Sequence, residues 1–239
     1  MTRKAESKQT WLTSIAASTV AKELLVAVSG VALVLFILAH LSGNFTIFWG
    51  PNAYNAYSRH LHGLGILLWL ARFGLIAAFV THVGFSVWLA LANRAARETP
   101  YAVQNYGGGT NLVKLTMLYT GIVVFAFICL HLYDFTFRDQ TGPGTVVAGL
   151  NGGQTLGLYG LVWNAFANPV HSILYILAMS AVGLHFSNAV STIWVTLGAL
   201  TDSATAKANL AARILGALVA LCFSSIPIYV LATTYLRGV

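Results

Sequence analysis

Five segments of this 239-residue chain stay apolar for about 20 residues or more, the length an α-helix needs to cross the hydrocarbon of a bilayer. They run Glu23–Phe48, Gly63–Ala92, Leu112–Phe135, Pro169–Leu200 and Ala211–Leu236. Backbone N–H and C=O groups in lipid must be satisfied within the segment, so the expected fold is all-α, an integral membrane bundle of five transmembrane helices. Hydrophobic residues make up 57% of the chain and charged residues 8%, far from the balance of a water-soluble globule. The connections Gly50–His62, Asn93–Asn111, Thr136–Asn168 and Thr201–Leu210 are too short to bury a soluble core of their own. The chain therefore reads as one membrane domain over residues 1–239, and chemistry on a polar metabolite would fall to another subunit.

Pro51, Pro100, Pro143 and Pro169 mark segment boundaries, whereas Pro227 lies inside the fifth segment and is expected to kink it. The net charge of +7 does not point to nucleic acid, because the basic residues are scattered at segment ends rather than gathered in a patch. They report topology instead. With the N-terminus in the cytoplasm, nine of them (Arg3, Lys4, Lys8, Lys22, Arg94, Arg97, Lys114, Lys207 and Arg213) fall inside and three (Arg59, Arg138 and Arg237) outside, so N-in and C-out is expected. The stretch carrying Arg3, Lys4, Glu6 and Lys8 lacks a short apolar core with a small-residue cleavage site and is read as retained. The Gly-rich stretch Thr136–Asn168, with Tyr159, Trp163 and Phe166 near its end, reads as an interfacial cap.

Four of the seven histidines, His40, His82, His131 and His185, each lie inside a different apolar segment. An ionisable side chain in lipid needs a partner, and neutral imidazole offers iron a lone pair. At about 1.5 Å per residue, His40 and His131 fall near the outer ends of outward-running helices. His82 and His185 lie well down inward-running ones. Two depth-matched pairs on antiparallel helices suit two bis-histidine haems, His40 with His131 at the outer level and His82 with His185 at the inner. Hydrogen bonding to neighbouring helices would explain one or two such histidines but fits all four poorly. Cys129 and Cys222 belong to no C-x-x-C-H attachment motif, so ligation and packing would hold the haems. Gly43, Gly84, Gly121 and Gly183 lie near the ligands, where glycine admits a macrocycle or simply tightens helix packing.

Arg72 lies about nine residues into the second segment, and a guanidinium there needs an anion. Every acidic residue (Glu6, Glu23, Glu98, Asp134, Asp139 and Asp202) lies near a segment end, so no carboxylate of the chain is expected to be buried enough to serve. A propionate of the outer haem would, unless Arg72 snorkels to the interface. Arg59, His60 and His62 at the outer boundary are either solvated or in contact with propionates or a quinone headgroup. His171 could compete with His185 as a ligand, but would leave His82 without a depth-matched partner.

These residues resemble the cytochrome b membrane-anchor subunit of succinate:quinone oxidoreductases, the succinate dehydrogenases and fumarate reductases, in its single-chain form with five helices and two haems. The resemblance spans essentially the whole chain. It is carried by Ser29-Gly-Val-Ala-Leu-Val-Leu-Phe-Ile-Leu-Ala-His40, Asn52-Ala-Tyr-Asn-Ala-Tyr57, Arg72-Phe-Gly-Leu-Ile-Ala-Ala-Phe-Val-Thr-His82 followed by Asn93-Arg94-Ala-Ala-Arg97, and Gly183-Leu-His-Phe-Ser-Asn188. It implies two haem b groups, a bacterial cytoplasmic membrane location, and partner flavoprotein and iron–sulfur subunits on the cytoplasmic side that carry FAD and iron–sulfur clusters. It also implies electron passage to or from a membrane quinone, menaquinone by family habit, with higher oligomers of the whole complex left open. His82 and His185 would then hold the haem nearer the iron–sulfur protein. Some members carry an acidic residue deep in the helix of the last ligand; here Gly183 and Leu184 precede His185, and a proton pathway of that kind is not expected.

A quinone site needs donors at the end of an apolar cleft. Lys22, Ser29, Asn93 and Arg94 offer them at the inner side, and Arg59, His60 and His62 at the outer. Two other functions stay open on sequence: a di-haem anchor for a hydrogenase or formate dehydrogenase, and a haem-free transporter whose histidines line a proton path. The second lacks the short paired helices, broken by Gly or Pro, that often mark transporter sites.

Overall fold

A computed structural model describes residues 18–96, 110–196 and 202–237. The N-terminal basic residues Arg3, Lys4 and Lys8, as well as Arg97, Glu98 and Pro100, lie outside the described residues. Helices run α1 (Thr19–Asn44), α2 (Pro51–Gly63), α3 (Ile66–Ala95), α4 (Thr110–Phe135), α5 (Gly157–Ala167), α6 (Pro169–Thr196) and α7 (Asp202–Arg237). The described residues are all-helical apart from turns and one isolated bridge between Val146 and Thr155. Five of the helices, α1, α3, α4, α6 and α7, are long and apolar enough to cross a membrane.

Local chemistry sets the boundaries. Ser18 caps α1, its Oγ accepting the Ala21 N–H at 3.1 Å. At the other end Asn44 donates to the His40 carbonyl at 2.8 Å and the Thr46 hydroxyl to the Gly43 carbonyl at 2.7 Å, which turns Phe45–Trp49 into a 3-10 helix. Gly50, at φ +90°, then breaks the chain's direction and Pro51 starts α2 at its first position. Asn168 caps α6, its Oδ1 accepting from the Val170 and His171 N–H groups, with Pro169 in the first turn.

Three connections differ from the sequence expectation. Gly50–His62 is mostly the helix α2, Thr136–Asn168 contains the helix α5, and α7 begins at Asp202 rather than Ala211. Each is too polar or too short to register as a membrane span, and apolar length was the criterion applied. α7 continues through Pro227, which is fully buried.

α3 packs on α1, α1 on α6, and α6 on both α4 and α7. Thus α3, α1, α6 and α4 form a ring of four. The remaining side, between α3 and α4, is spanned by Phe79 and Phe125, whose rings stack with centroids 6.0 Å apart. The α6–α7 contact is the closest-fitted, because a side chain on Gly183 would collide with the Gly216 carbonyl and Ala220, and one on Gly216 with the Gly183 carbonyl and Ser187. α3, by contrast, holds no buried residue, and side chains such as Leu67, Phe73, Ile76 and Val80 are left facing outward, as lipid permits.

One end of the bundle is closed by a folded cap. Asn55 of α2 donates to the Leu156 carbonyl at 2.7 Å and accepts the Tyr159 N–H at 3.1 Å, so one amide ties α2 to the start of α5. Asn164 donates to the Gly144 and Val146 carbonyls and holds the Gly-rich stretch down. Beneath lie Ile47, Tyr54, Val147, Tyr159, Trp163 and Phe166, continuous with Tyr175, Ile226 and Val230 of the bundle. Burial and the neighbouring Tyr229 push the Tyr159 phenol up to about 12, and burial likewise raises Tyr54, so both stay neutral.

Candidate functional site

The four histidines of the apolar segments meet as two pairs. His82 and His185 lie with ring centroids 6.4 Å apart and planes at 82°, and His40 and His131 with centroids 5.6 Å apart and planes at 89°. Each pair joins helices on a diagonal of the ring, α3 to α6 and α1 to α4, and neither diagonal carries substantial backbone packing. His82 and His185 each lie 16 residues past the first residue of their helix, which is why they share a level. His40 and His131 each lie four residues before the end of theirs, under the cap. The His82 ring meets α1 at Val26 and Gly30, and His40 is ten residues beyond Gly30, roughly 15 Å further along the helix.

At the mid-bundle pair the ring tautomers are fixed by the protein. His82 Nδ1–H donates to the Val26 carbonyl at 3.2 Å. His185 Nδ1 is 3.2 Å from Thr120 Oγ1, and because that hydroxyl spends its proton on the Thr116 carbonyl at 2.7 Å, the imidazole must be the donor. Both Nε2 atoms therefore keep a free lone pair. Glycines lie against these rings on the facing helices: an added Cβ would sit 3.4 Å from the ring Cε1, in ordinary van der Waals contact, both at Gly30 against His82 and at Gly121 against His185.

Aromatic rings surround the capped-end pair instead. Phe36 stacks on His40 at 5.4 Å and Phe223 approaches it at 6.0 Å. Phe127, Phe135 and Tyr175 enclose His131 at 5.7, 5.3 and 6.3 Å. The Asn44 amide reaches His40 Nε2 at 3.3 Å, while His131 Nδ1 is buried without a hydrogen-bond partner.

With metal–imidazole bonds of roughly 2 Å and about 1.1 Å from nitrogen to ring centre, two imidazoles on opposite sides of one metal have centres roughly 6 Å apart. The observed centre separations, 5.6 and 6.4 Å, lie on either side of that value. Among the described residues no group of three or more His, Cys, Asp or Glu side chains could hold a metal ion. Two imidazoles without further protein donors suit a metal that brings other ligands with it, as iron porphyrin does. The donor set fits haem.

The other expected residues scatter. Arg72 is exposed on α3, its guanidinium 5.1 Å from the Trp69 ring centre, at an apolar cleft of about 310 Å³ between α1 and α3 that Ala32 and Phe36 help to line. Arg59, His60 and His62 are exposed on α2, His62 Nδ1–H donating to the Ser58 carbonyl at 2.8 Å. Ser29 is buried with its hydroxyl bonded to the Leu25 carbonyl at 2.6 Å. Lys22 lies 3.9 Å over the Trp88 ring, and Asn93 and Arg94 are exposed near the end of α3. Of the glycines singled out, Gly121 faces His185, whereas Gly43 accommodates Tyr57, Gly183 packs α6 on α7 and Gly84 faces open space.

One expectation is overturned. Asp134 is buried, only 8% exposed, although it lies one residue from the end of α4, because the cap and α6 close over it. Tyr175 donates to its Oδ2 at 2.7 Å, and His171 Nε2 lies 3.0 Å from the same oxygen, near enough for a charge contact but out of line for a hydrogen bond. His171 thus faces a carboxylate, and His185 faces His82. The i, i+3 spacing of His131 and Asp134 was the sequence signal for a shared face. Comparisons with protein-family models, curated proteins and solved structures find no match.

Proposed function

We propose that this chain is the di-haem cytochrome b membrane anchor of a succinate:quinone oxidoreductase, carrying electrons between an iron–sulfur subunit and quinone in the membrane. The observation that carries the reading is the meeting of four intramembrane histidines as two pairs, each across a diagonal of one four-helix ring. His82 and His185 would hold one haem b through Nε2, and His40 and His131 the other. When bound, the two haems supply one-electron chemistry at two depths of the bilayer.

The chain's own residues supply position and insulation. Val26 and Thr120 orient the mid-bundle imidazoles, and Gly30 and Gly121 lie against them. Phe36, Phe127, Phe135 and Tyr175 exclude water from the capped-end rings. The capped end is the outer one in this reading, with the N-terminus cytoplasmic in a bacterial inner membrane and the flavoprotein and iron–sulfur partners at the opposite end. Succinate or fumarate chemistry belongs to those partners, on FAD and iron–sulfur clusters. Arg72 serves a propionate, and Lys22, Ser29 and Arg94, or Arg59, His60 and His62, serve the quinone, menaquinone in this reading.

Absorption spectroscopy of the dithionite-reduced complex from its native membrane tests the reading. Two haem b per chain, co-purifying with a flavoprotein that oxidises succinate, is the expected result. Haem-free material from a haem-replete host overturns it, and two haems purifying with a hydrogenase or formate dehydrogenase overturn its succinate half.

A further inference from the structure

Buried Asp134 and Tyr175, with the half-buried His171, form a polar cluster that helix packing alone does not require. Tyr175 is 4% exposed and sits between two imidazoles, its ring centre 6.3 Å from that of His131 and 4.8 Å from that of His171. Its hydroxyl donates to the Asp134 carboxylate, which also faces His171 Nε2. Asp134 follows His131 by three residues on α4 and so shares its face. Among the described residues the other pair differs, His82 and His185 bonding to a carbonyl and a hydroxyl, both neutral. A fixed anion in a water-poor site acts on a nearby redox centre with little screening.

We propose that Asp134 tunes the centre held by His40 and His131, its carboxylate stabilising the oxidised form and so lowering that centre's reduction potential. This rests on the haem reading above, and Asp134 acts as a positioning residue, through the field at His131 rather than by contact with a reacting atom. Tyr175 donates to the carboxylate and holds it in place. Replacing that carboxylate by an amide of the same shape removes a negative charge from beside His131, so the midpoint is expected to rise.

Optical redox titration of the purified complex tests this, the capped-end midpoint being the one that disappears in His131→Ala. Asp134→Asn should raise that midpoint enough to change its oxidised-to-reduced ratio at least tenfold, about 59 mV for one electron. The other midpoint should move less than threefold in the same terms. Asp134→Glu should restore the original value, and Tyr175→Phe, which keeps the carboxylate, should not raise it. Unmoved midpoints in Asp134→Asn, or an equal rise in Tyr175→Phe as a packing role would give, overturn the proposal. If Asp134→Asn fails to retain that haem, Asp134→Ser, which also removes the carboxylate, decides. Its midpoint must rise, and a fall or no shift overturns the proposal. Two haems with unmoved midpoints defeat this inference alone, whereas absence of haem defeats the functional reading with it.

Discussion

The two histidine pairs use the same side chains in opposite surroundings. At the mid-bundle pair both rings are oriented through Nδ1 by groups on neighbouring helices, and glycines stand against them. At the capped-end pair His131 Nδ1 has no partner, Asn44 touches His40 only at 3.3 Å, and the rings are held by aromatic packing with a buried carboxylate nearby. Orientation by hydrogen bonds fixes a tautomer, whereas orientation by packing fixes a plane. The first pair is therefore vulnerable to loss of a single polar atom, and the second to loosening of the cap.

Removing a ligand breaks the comparison most completely. On the proposed reading, His185→Ala should abolish one of two haems and leave the other, with His82→Ala giving the same reduced spectrum. His171→Ala should keep both haems, since His171 faces Asp134. Loss of a haem in His171→Ala with retention in His185→Ala would reverse the assignment of the α6 ligand.

The meeting of His82 with His185 was legible before any coordinates because a membrane span makes depth a function of position. Counting residues from Pro169 and from the start of the second segment puts His185 and His82 on one level, and the helix boundaries sharpen the match to 16 residues each. What depth does not contain is azimuth. That Thr120 faces His185, 65 residues away, or that Gly30 faces His82, follows from how helices are rotated about their axes. Hydrophobic periodicity leaves that rotation undetermined in segments apolar all round. Asp134 escaped for a related reason. A position next to a helix end suggests solvent, and although the Gly-rich stretch reads as an interfacial cap, its short helix and α2 give no sequence signal that places it over Asp134.

Thr120→Val sharpens the contrast at the mid-bundle pair. The substitution keeps the side chain's volume near constant but removes the oxygen that accepts from His185 Nδ1–H. Groups that orient a metal-bound histidine typically account for about 10–100-fold in metal affinity. Haem loss to an acceptor such as apomyoglobin should therefore speed up for this pair by roughly 10–100-fold, with no change at the capped-end pair. Equal acceleration at both pairs would mean the variant loosens the bundle as a whole.

The smallest expected effect probes the cap. Asn55→Ala removes one hydrogen bond to the Leu156 carbonyl and one from the Tyr159 N–H, so α2 and α5 lose the amide that joins them while the apolar contacts among Tyr54, Tyr159 and Trp163 remain. Neutral hydrogen bonds contribute about 0.5–1.5 kcal/mol each, so the loss should be about 1–3 kcal/mol. It should fall on one end of the molecule, because the capped-end rings depend on Phe135 and Tyr175, which pack against Phe166 of α5. The mid-bundle rings depend on α1 and α4 instead. Thermal release of haem, followed at the two reduced absorption bands, should move to lower temperature for the capped-end haem and stay in place for the other. A common shift of both would show that the cap stabilises the whole bundle, and that the two pairs differ in chemistry but not in the architecture that maintains them.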